Sequence, residues 1–260
     1  MRRAFGWSSG NRVFRDSSRL FQSLAELVLA EAEGCAEARG RFTIALSGGS
    51  TPRGAHRLLG REPISSAFPW VQAHFFWVDE RCVEPADPAS NYGNARRDFL
   101  GRVPVPAENV FPMPVDRPPR EGALAYERVL SRFFGPPRED FPRFDLILLG
   151  LGGDGHTASL FPGDPALDER ERFVVPVRGG DPAVDRLTLT LPVLNQAART
   201  VFIVSGRDKS DAVHAVLERE DPRLPAARVS GNLTWLMDEE AASKLSERGA
   251  RRPPKQEGAH

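Results

Sequence analysis

The run Phe144-Asp145-Leu146-Ile147-Leu148-Leu149 limits the possible folds more than any other stretch of the chain. Apart from Asp145 it does not alternate apolar with polar residues. A run of this kind reads as a strand buried on both faces of a parallel sheet. It passes directly into Gly150-Leu151-Gly152-Gly153-Asp154-Gly155-His156-Thr157-Ala158-Ser159-Leu160-Phe161-Pro162-Gly163, with five glycines in fourteen residues. So much glycine after a central strand marks unusual backbone conformations and close approach to a ligand.

The same strand–turn–helix theme recurs along the chain. Leu20, Leu24, Leu27 and Val28 follow helical spacing from Ser17 or Ser18, with Gly34 as the expected stop. Residues 42–46 read as a short buried strand, and Pro52 opens a helix running to about Leu59. A strand is expected over 75–78, a helix over 91–100, a proline-rich surface excursion over 104–120 and a helix over 121–134. Further strands are expected over 173–177, 186–191 and 201–204, with a helix over 207–217. Leu187, Leu189 and Leu191 alternate with Thr188 and Thr190, which predicts one wet face there. Strands alternating with helices imply an α/β fold with a largely parallel sheet, flanked by helices and carrying additional smaller strands. Residues 1–16 show no clear period, 17–246 read as one domain, and the Arg-, Pro-, Lys- and Gly-rich 247–260 read as a disordered tail.

Composition narrows the partners. Lys plus Arg equals Asp plus Glu at 35 each, so no global field recruits nucleic acid or an anionic membrane, and affinity for anions must be local. Met1-Arg2-Arg3 lacks an apolar stretch behind it, and no segment approaches the ~20 apolar residues of a membrane span, so a soluble cytoplasmic protein is expected. Cys35 and Cys82 are too few for a disulfide framework and lack metal-type spacing, and read as free thiols. His56 and His214 lie in expected helices, His74 opens a strand and His260 is in the tail. None forms a His-x-x-x-His or His-Glu-x-x-His set, so neither metal nor cofactor is expected.

In parallel α/β sheets ligands bind beyond the carboxyl ends of the strands, which singles out four loops. Ser47-Gly48-Gly49-Ser50-Thr51-Pro52 reads equally as a tight turn with a helix cap or as a phosphate cradle of hydroxyls and free helix N–H groups. Asp79-Glu80-Arg81, followed by Ser90-Asn91-Tyr92, holds an acid and an arginine that either pair or leave Arg81 free for an anion. In the third loop His156 suits proton abstraction from water, because an ordinary imidazole titrates near pH ~6.5. Asp154, two residues away, is placed to orient it. In Ser205-Gly206-Arg207-Asp208-Lys209, Lys209 falls in a helix's first turn, where a cation is unfavourable unless an anion binds nearby.

Together these segments, with Trp77-Val-Asp-Glu-Arg81, Asp145 to Pro162 and Arg186-Leu-Thr-Leu-Thr-Leu-Pro192, resemble the 6-phosphogluconolactonase family from about Asp16 to Ala242. The long third motif is the most specific. The resemblance implies a Rossmann-like sheet of the kind shared with glucosamine-6-phosphate deaminases and ribose-5-phosphate isomerases. It implies metal-independent hydrolysis of 6-phospho-D-glucono-1,5-lactone to 6-phosphogluconate, with His156 as general base and Asp154 beside it. Ser47, Gly48, Gly49, Ser50, Thr51 and Lys209 then look like phosphate ligands and Arg81 like a substrate-binding residue. Asp79, Gly153, Gly155 and Arg207, in the same loops, are the remaining substrate-binding candidates. The implied partner is a small phosphorylated sugar lactone, with no nucleic acid and no membrane, in a monomer or small homo-oligomer. Two rivals are a deaminase-like aldose–ketose isomerase and a non-catalytic sugar-phosphate sensor. The deaminases carry a glutamate five positions after this histidine, where this chain has Phe161.

Overall fold

A computed structural model describes residues 10–135 and 141–247. In chain order its elements are β1 (Gly10–Phe14), α1 (Ser17–Arg39), β2 (Phe42–Leu46), α2 (Ser50–Leu59), α3 (Ile64–Ala67), β3 (Ala73–Trp77), β4 (Asp79–Arg81), α4 (Asn91–Asp98) and α5 (Pro119–Phe134). There follow β5 (Leu146–Leu149), β6 (Val174–Gly179), β7 (Val184–Leu189), α6 (Leu191–Asn195), β8 (Thr200–Val204), α7 (Ser210–Leu217) and β9 (Leu233–Asp238). Six strands form one parallel sheet in the order β1-β9-β8-β5-β2-β3. The other three form a small antiparallel sheet, β4-β7-β6.

The continuous apolar runs have the expected cause. Every residue of β2, β5 and β8 is buried, so these central strands have no wet face to mark by alternation. The acid at the head of the β5 run is held rather than wasted. Asp145 accepts from the Thr43 backbone N–H at 2.9 Å, from Thr43 Oγ1 at 3.0 Å and from Arg39 Nη2 at 2.7 Å. Two adjacent strands and the last turn of α1 are thereby tied together.

Four expectations need correction. Helix α1 runs through Gly34 to Arg39 and ends at Gly40, whose left-handed φ of 70° makes it the C-cap. A mid-helix glycine costs only about 1 kcal/mol relative to alanine, and the Ala- and Glu-rich flanks outweigh that. The segment 1–16 contains β1, which pairs in register with Thr234–Asp238 of β9. As a mostly half-exposed edge strand it carries little periodicity to read. The threonine face of β7 is not wet, since Thr188 and Thr190 are fully buried. Thr188 Oγ1 accepts from the Ser159 N–H and donates to Leu189 O, and Thr190 Oγ1 donates to Arg172 O. Finally, the proline-rich excursion is partly structural, because Val110 bridges to Phe75 and Phe111 stacks on Phe76, covering the β3 edge. The expected tail beyond residue 247 lies outside the described residues. Both cysteines are free. No helix among the described residues is long and apolar enough to cross a membrane.

What positions the site is the direction of the chain. After β2 it moves outward to β3, then returns to place β5 on the other flank of β2 and continues to β8 and β9. Strand order therefore turns back between β2 and β5, and the loops leaving these two strands part around a crevice. The small sheet hangs above it. Val78 joins the two sheets, donating its N–H to Leu46 O at 2.9 Å and accepting from the Leu189 N–H at 2.8 Å. The next residue, Asp79, begins β4 over the crevice.

Candidate active site

A cavity of about 180 Å³ opens where the strand order turns back. Its first wall is the turn from β2 into α2. The helix begins at Ser50, two residues before Pro52, and Gly49 at its N-cap has φ 95° and offers no side-chain cap. The first turn carries no acidic residue either. The N–H groups and partial positive charge of this helix end thus remain available to a ligand. Ser47, Gly48, Gly49, Ser50 and Thr51 all line the cavity.

The second wall is the glycine-rich loop after β5. His156 lines the cavity, and its Nδ1 lies 2.6 Å from Asp154 Oδ1. The same carboxylate oxygen accepts the His156 backbone N–H at 3.1 Å. With Nδ1 engaged by a carboxylate, a neutral imidazole carries its proton there and keeps its lone pair on Nε2. Burial works against the Asp154 charge, but the His156 N–H and imidazole together hold its carboxyl below the usual carboxylate range. The glycines make this hairpin-tight loop possible. A Cβ at Gly152 would fall 2.0 Å from His156 Nδ1 and 2.5 Å from Asp154 Oδ1. Gly155, at φ +81°, packs against Leu224 instead.

The third wall comes from the small sheet. Asp79 and Arg81 line the cavity from β4, and in the antiparallel register Arg81 stands directly opposite Arg186 of β7. Like charges facing each other across strands are destabilising. Burial, and then Arg81, hold the Arg186 guanidinium below its ordinary pKa. Arg186 donates to Gly179 O at 3.0 Å and lies over the Phe161 ring, while Arg81 Nη1 donates to Ala89 O at 2.7 Å. Neither arginine forms an ion pair among the described residues. Asp79 is occupied elsewhere, accepting from Ser159 Oγ at 2.6 Å and from Asn91 Nδ2 at 3.1 Å. The alternative of an Asp79–Arg81 pair is not what forms, and the two arginines are left facing the cavity.

Three buried polar atoms in this lining lack a hydrogen-bond partner: Ser47 Oγ, Arg81 Nε and Asn91 Oδ1. An unsatisfied buried polar group costs about 1–3 kcal/mol, so three in one cavity lining point to a polar ligand. Arg186 and Asn91 were not among the residues selected from sequence. The signal for Arg186 was present, because it shares a face of β7 with Thr188, the face read as wet. On that face Arg186 reaches the cavity, while Thr188 is buried against Ser159.

Lys209 lines the cavity from the turn after β8, with Nζ 3.0 Å from the exposed Asp208 carboxylate. Such a surface pair is weak and leaves the lysine free to serve a ligand. Arg207 does not join it. Residues 207–209 form a single tight 3-10 turn that sends Arg207 outward toward Glu240, mostly exposed. Gly153, Asp154 and Gly155 also stand outside the lining, Asp154 acting through His156. Among the described residues no group of three or more His, Cys, Asp or Glu is placed to hold a metal ion.

This geometry has counterparts in known proteins. Residues 15–235 match a family model described as glucosamine-6-phosphate isomerases/6-phosphogluconolactonase. A 6-phosphogluconolactonase of Synechocystis sp. is 44% identical over 213 residues, which span 80% of this chain and 86% of that protein. One from Nostoc sp. is 39% identical over 240 residues, 90% of this chain and 97% of that protein. The structure of 6-phosphogluconolactonase from Trypanosoma brucei superposes with a TM-score of 0.80 at 28% identity, covering 92% of this chain and 99% of that one.

Proposed function

The chain belongs to the glucosamine-6-phosphate isomerase/6-phosphogluconolactonase family, and from that premise we propose that it hydrolyses 6-phospho-D-glucono-1,5-lactone to 6-phospho-D-gluconate, the ring-opening step of the oxidative pentose phosphate pathway. The observation that carries this reading is one cavity holding a carboxylate-oriented histidine together with an uncapped helix end and two unpaired arginines.

A lactone is an activated ester, so the protein needs only to position water, take its proton and steady the oxyanion. Water attacks C1 while His156 Nε2 accepts its proton, and the C1 carbonyl oxygen becomes an oxyanion. Collapse breaks the bond from C1 to the ring oxygen, which leaves as the C5 hydroxyl on receiving the proton from His156. Asp154 keeps Nδ1 protonated and steadies the imidazolium between the two transfers. Proton transfer of this kind contributes on the order of 10²–10⁴-fold. The 6-phosphate docks on Ser47–Thr51 and Lys209, and Arg81 with Arg186 supplies the second positive pole for the oxygens at the other end of the substrate. Anchoring both ends fixes C1 against the base. Phe161 packs on His156 with ring centroids 4.9 Å apart, and it brings no carboxylate to relay protons between carbons as a deaminase requires. We place the protein in the cytoplasm, as a monomer or small homo-oligomer.

The test is hydrolysis of freshly generated 6-phosphogluconolactone with chelator present, corrected for spontaneous opening and run beside His156→Asn. The expected result is fast turnover that disappears in the variant. Turnover that survives the substitution removes His156 as the base. Absence of turnover by the wild type removes the function.

A further inference from the structure

Strand β4 separates two clefts. Its alternation sends Asp79 and Arg81 to the active-site cavity, while Glu80 faces the other way, into a cleft it shares with Tyr92, Met113 and Val115. Glu80 is nonetheless among the most buried carboxylates in the chain, 1% exposed. Its partners are backbone N–H groups and a hydroxyl. Oε1 accepts from the N–H of Arg81 and of Asn91, each at 2.8 Å. Oε2 accepts from the N–H of Tyr92 at 2.8 Å and from Ser90 Oγ at 3.2 Å, and Ser90 Oγ in turn accepts the Gly93 N–H at 3.0 Å. Glu80 and Ser90 between them satisfy the first three N–H groups of α4, where a negative charge also suits the helix dipole.

The residues so held are those that reach back over the cavity. Asn91 opens α4, and its side chain donates to Asp79 O and Asp79 Oδ1 and presses Oδ1 against Gly48, leaving no room there for a Cβ. Arg81 follows Glu80 directly and faces Arg186. We propose that Glu80 is a positioning residue for this site: from the far side of β4 its carboxylate fixes the start of α4 and so holds Asn91 and Arg81 against the substrate. The proposal rests on the lactonase reading. Burial raises the Glu80 carboxyl to about 6, with the Tyr92, Asn91 and Arg81 donors opposing, so above that pH the carboxylate is charged and accepts from all of them. A glutamine has the same shape but only one acceptor oxygen, and its amide nitrogen would oppose one of the N–H groups.

The experiment compares wild type, Glu80→Gln, Asn91→Ala and the double variant by lactone kinetics and by calorimetric titration with 6-phosphogluconate. Loss of one charge-assisted hydrogen bond sets the scale at about tenfold. Glu80→Gln is expected to raise KM and weaken product binding by about that factor while kcat stays within about threefold. The double variant is expected to be no worse than the poorer single one, because both substitutions release the same contact. By contrast, Glu80→Gln combined with Lys209→Ala should multiply. An unchanged KM and product affinity in Glu80→Gln, or multiplication with Asn91→Ala, overturns the proposal. If Glu80→Gln lacks a cooperative unfolding transition, Ser90→Ala takes its place, with a smaller rise in KM expected and an unchanged KM overturning it. A wild type that binds product without hydrolysing lactone sinks the lactonase reading alone, and product affinity still decides the role of Glu80. A wild type that does neither sinks both.

Discussion

His156 owes its usefulness to neighbours only a few residues away. Asp154 holds Nδ1, and Gly152 leaves the space in which the two side chains meet. Gly152→Ala puts a Cβ where the pair now sits, so kcat should fall by about 100-fold or more, the lower range for losing a positioned base. Steady-state kinetics at saturating lactone checks this, and a kcat within threefold of wild type rejects the packing argument. Arg186 is the opposite case, since its partner Arg81 comes from a distant part of the chain and repels it. Arg186→Gln should weaken 6-phosphogluconate binding by about 10–100-fold, the loss of a charged hydrogen bond to an anion. Its melting temperature should hold or rise as the like-charge contact is relieved. Unchanged product affinity by calorimetry would mean that the arginine pair is not a substrate contact.

At the scale of elements, the site uses two helix starts in opposite ways. Helix α4 is fully capped, by Ser90 and by Glu80, and serves as a rigid brace. Helix α2 has no side-chain cap and turns its N-terminus to the cavity, where it is joined by Lys209 from the turn before α7. If this end takes the phosphate, Lys209→Ala should raise KM for the phosphorylated lactone by about tenfold, while plain gluconolactone hydrolysis changes little. Equal loss on both substrates in parallel assays removes Lys209 from the phosphate site. The helix start at 91 was legible in the sequence and the other was placed at Pro52, two residues late, because Pro52 marks a first turn without fixing which of its positions it fills. Which start was left open to a ligand was not legible, since the cap of α4 comes from Glu80, eleven residues before Asn91 and on another element.

For the whole molecule, two buried groups give stability a pH dependence of opposite sign. His56, fully enclosed on α2 beside Phe99 with Nε2 unpartnered, is pushed down by burial to about 4, with Asp98 opposing and Arg53 and Arg57 adding to the shift. Between about 6.5 and 4 the unfolded chain therefore binds a proton the folded one refuses, and stability falls as pH falls, by up to about 3 kcal/mol. Glu80, raised to about 6 from an ordinary 4.5, contributes stability that is present below 4.5 and lost as pH rises through 6, by about 2 kcal/mol. His56→Leu should remove the first effect, so that urea denaturation shows a smaller loss between pH 7 and pH 5 than in wild type. An equal loss in both would mean that His56 is not the group that titrates.

The amino-acid sequence by itself determined the central strands, the helices that follow them and the two glycine loops that carry Ser47–Thr51 and His156. All of these are written in apolar periodicity and turn chemistry over a few neighbouring residues. It did not determine β1, which pairs with β9 from the other end of the sequence, nor the burial of Thr188 and Thr190, because alternation reports that a face is polar without saying what it meets. Only the tertiary structure decided that Arg186 reaches the cavity, that it stands opposite Arg81 and that Asn91 closes on Gly48. The physical reason is the same in each case. Register between distant strands, and the space left beside a glycine, exist only once the sheet has brought those segments together.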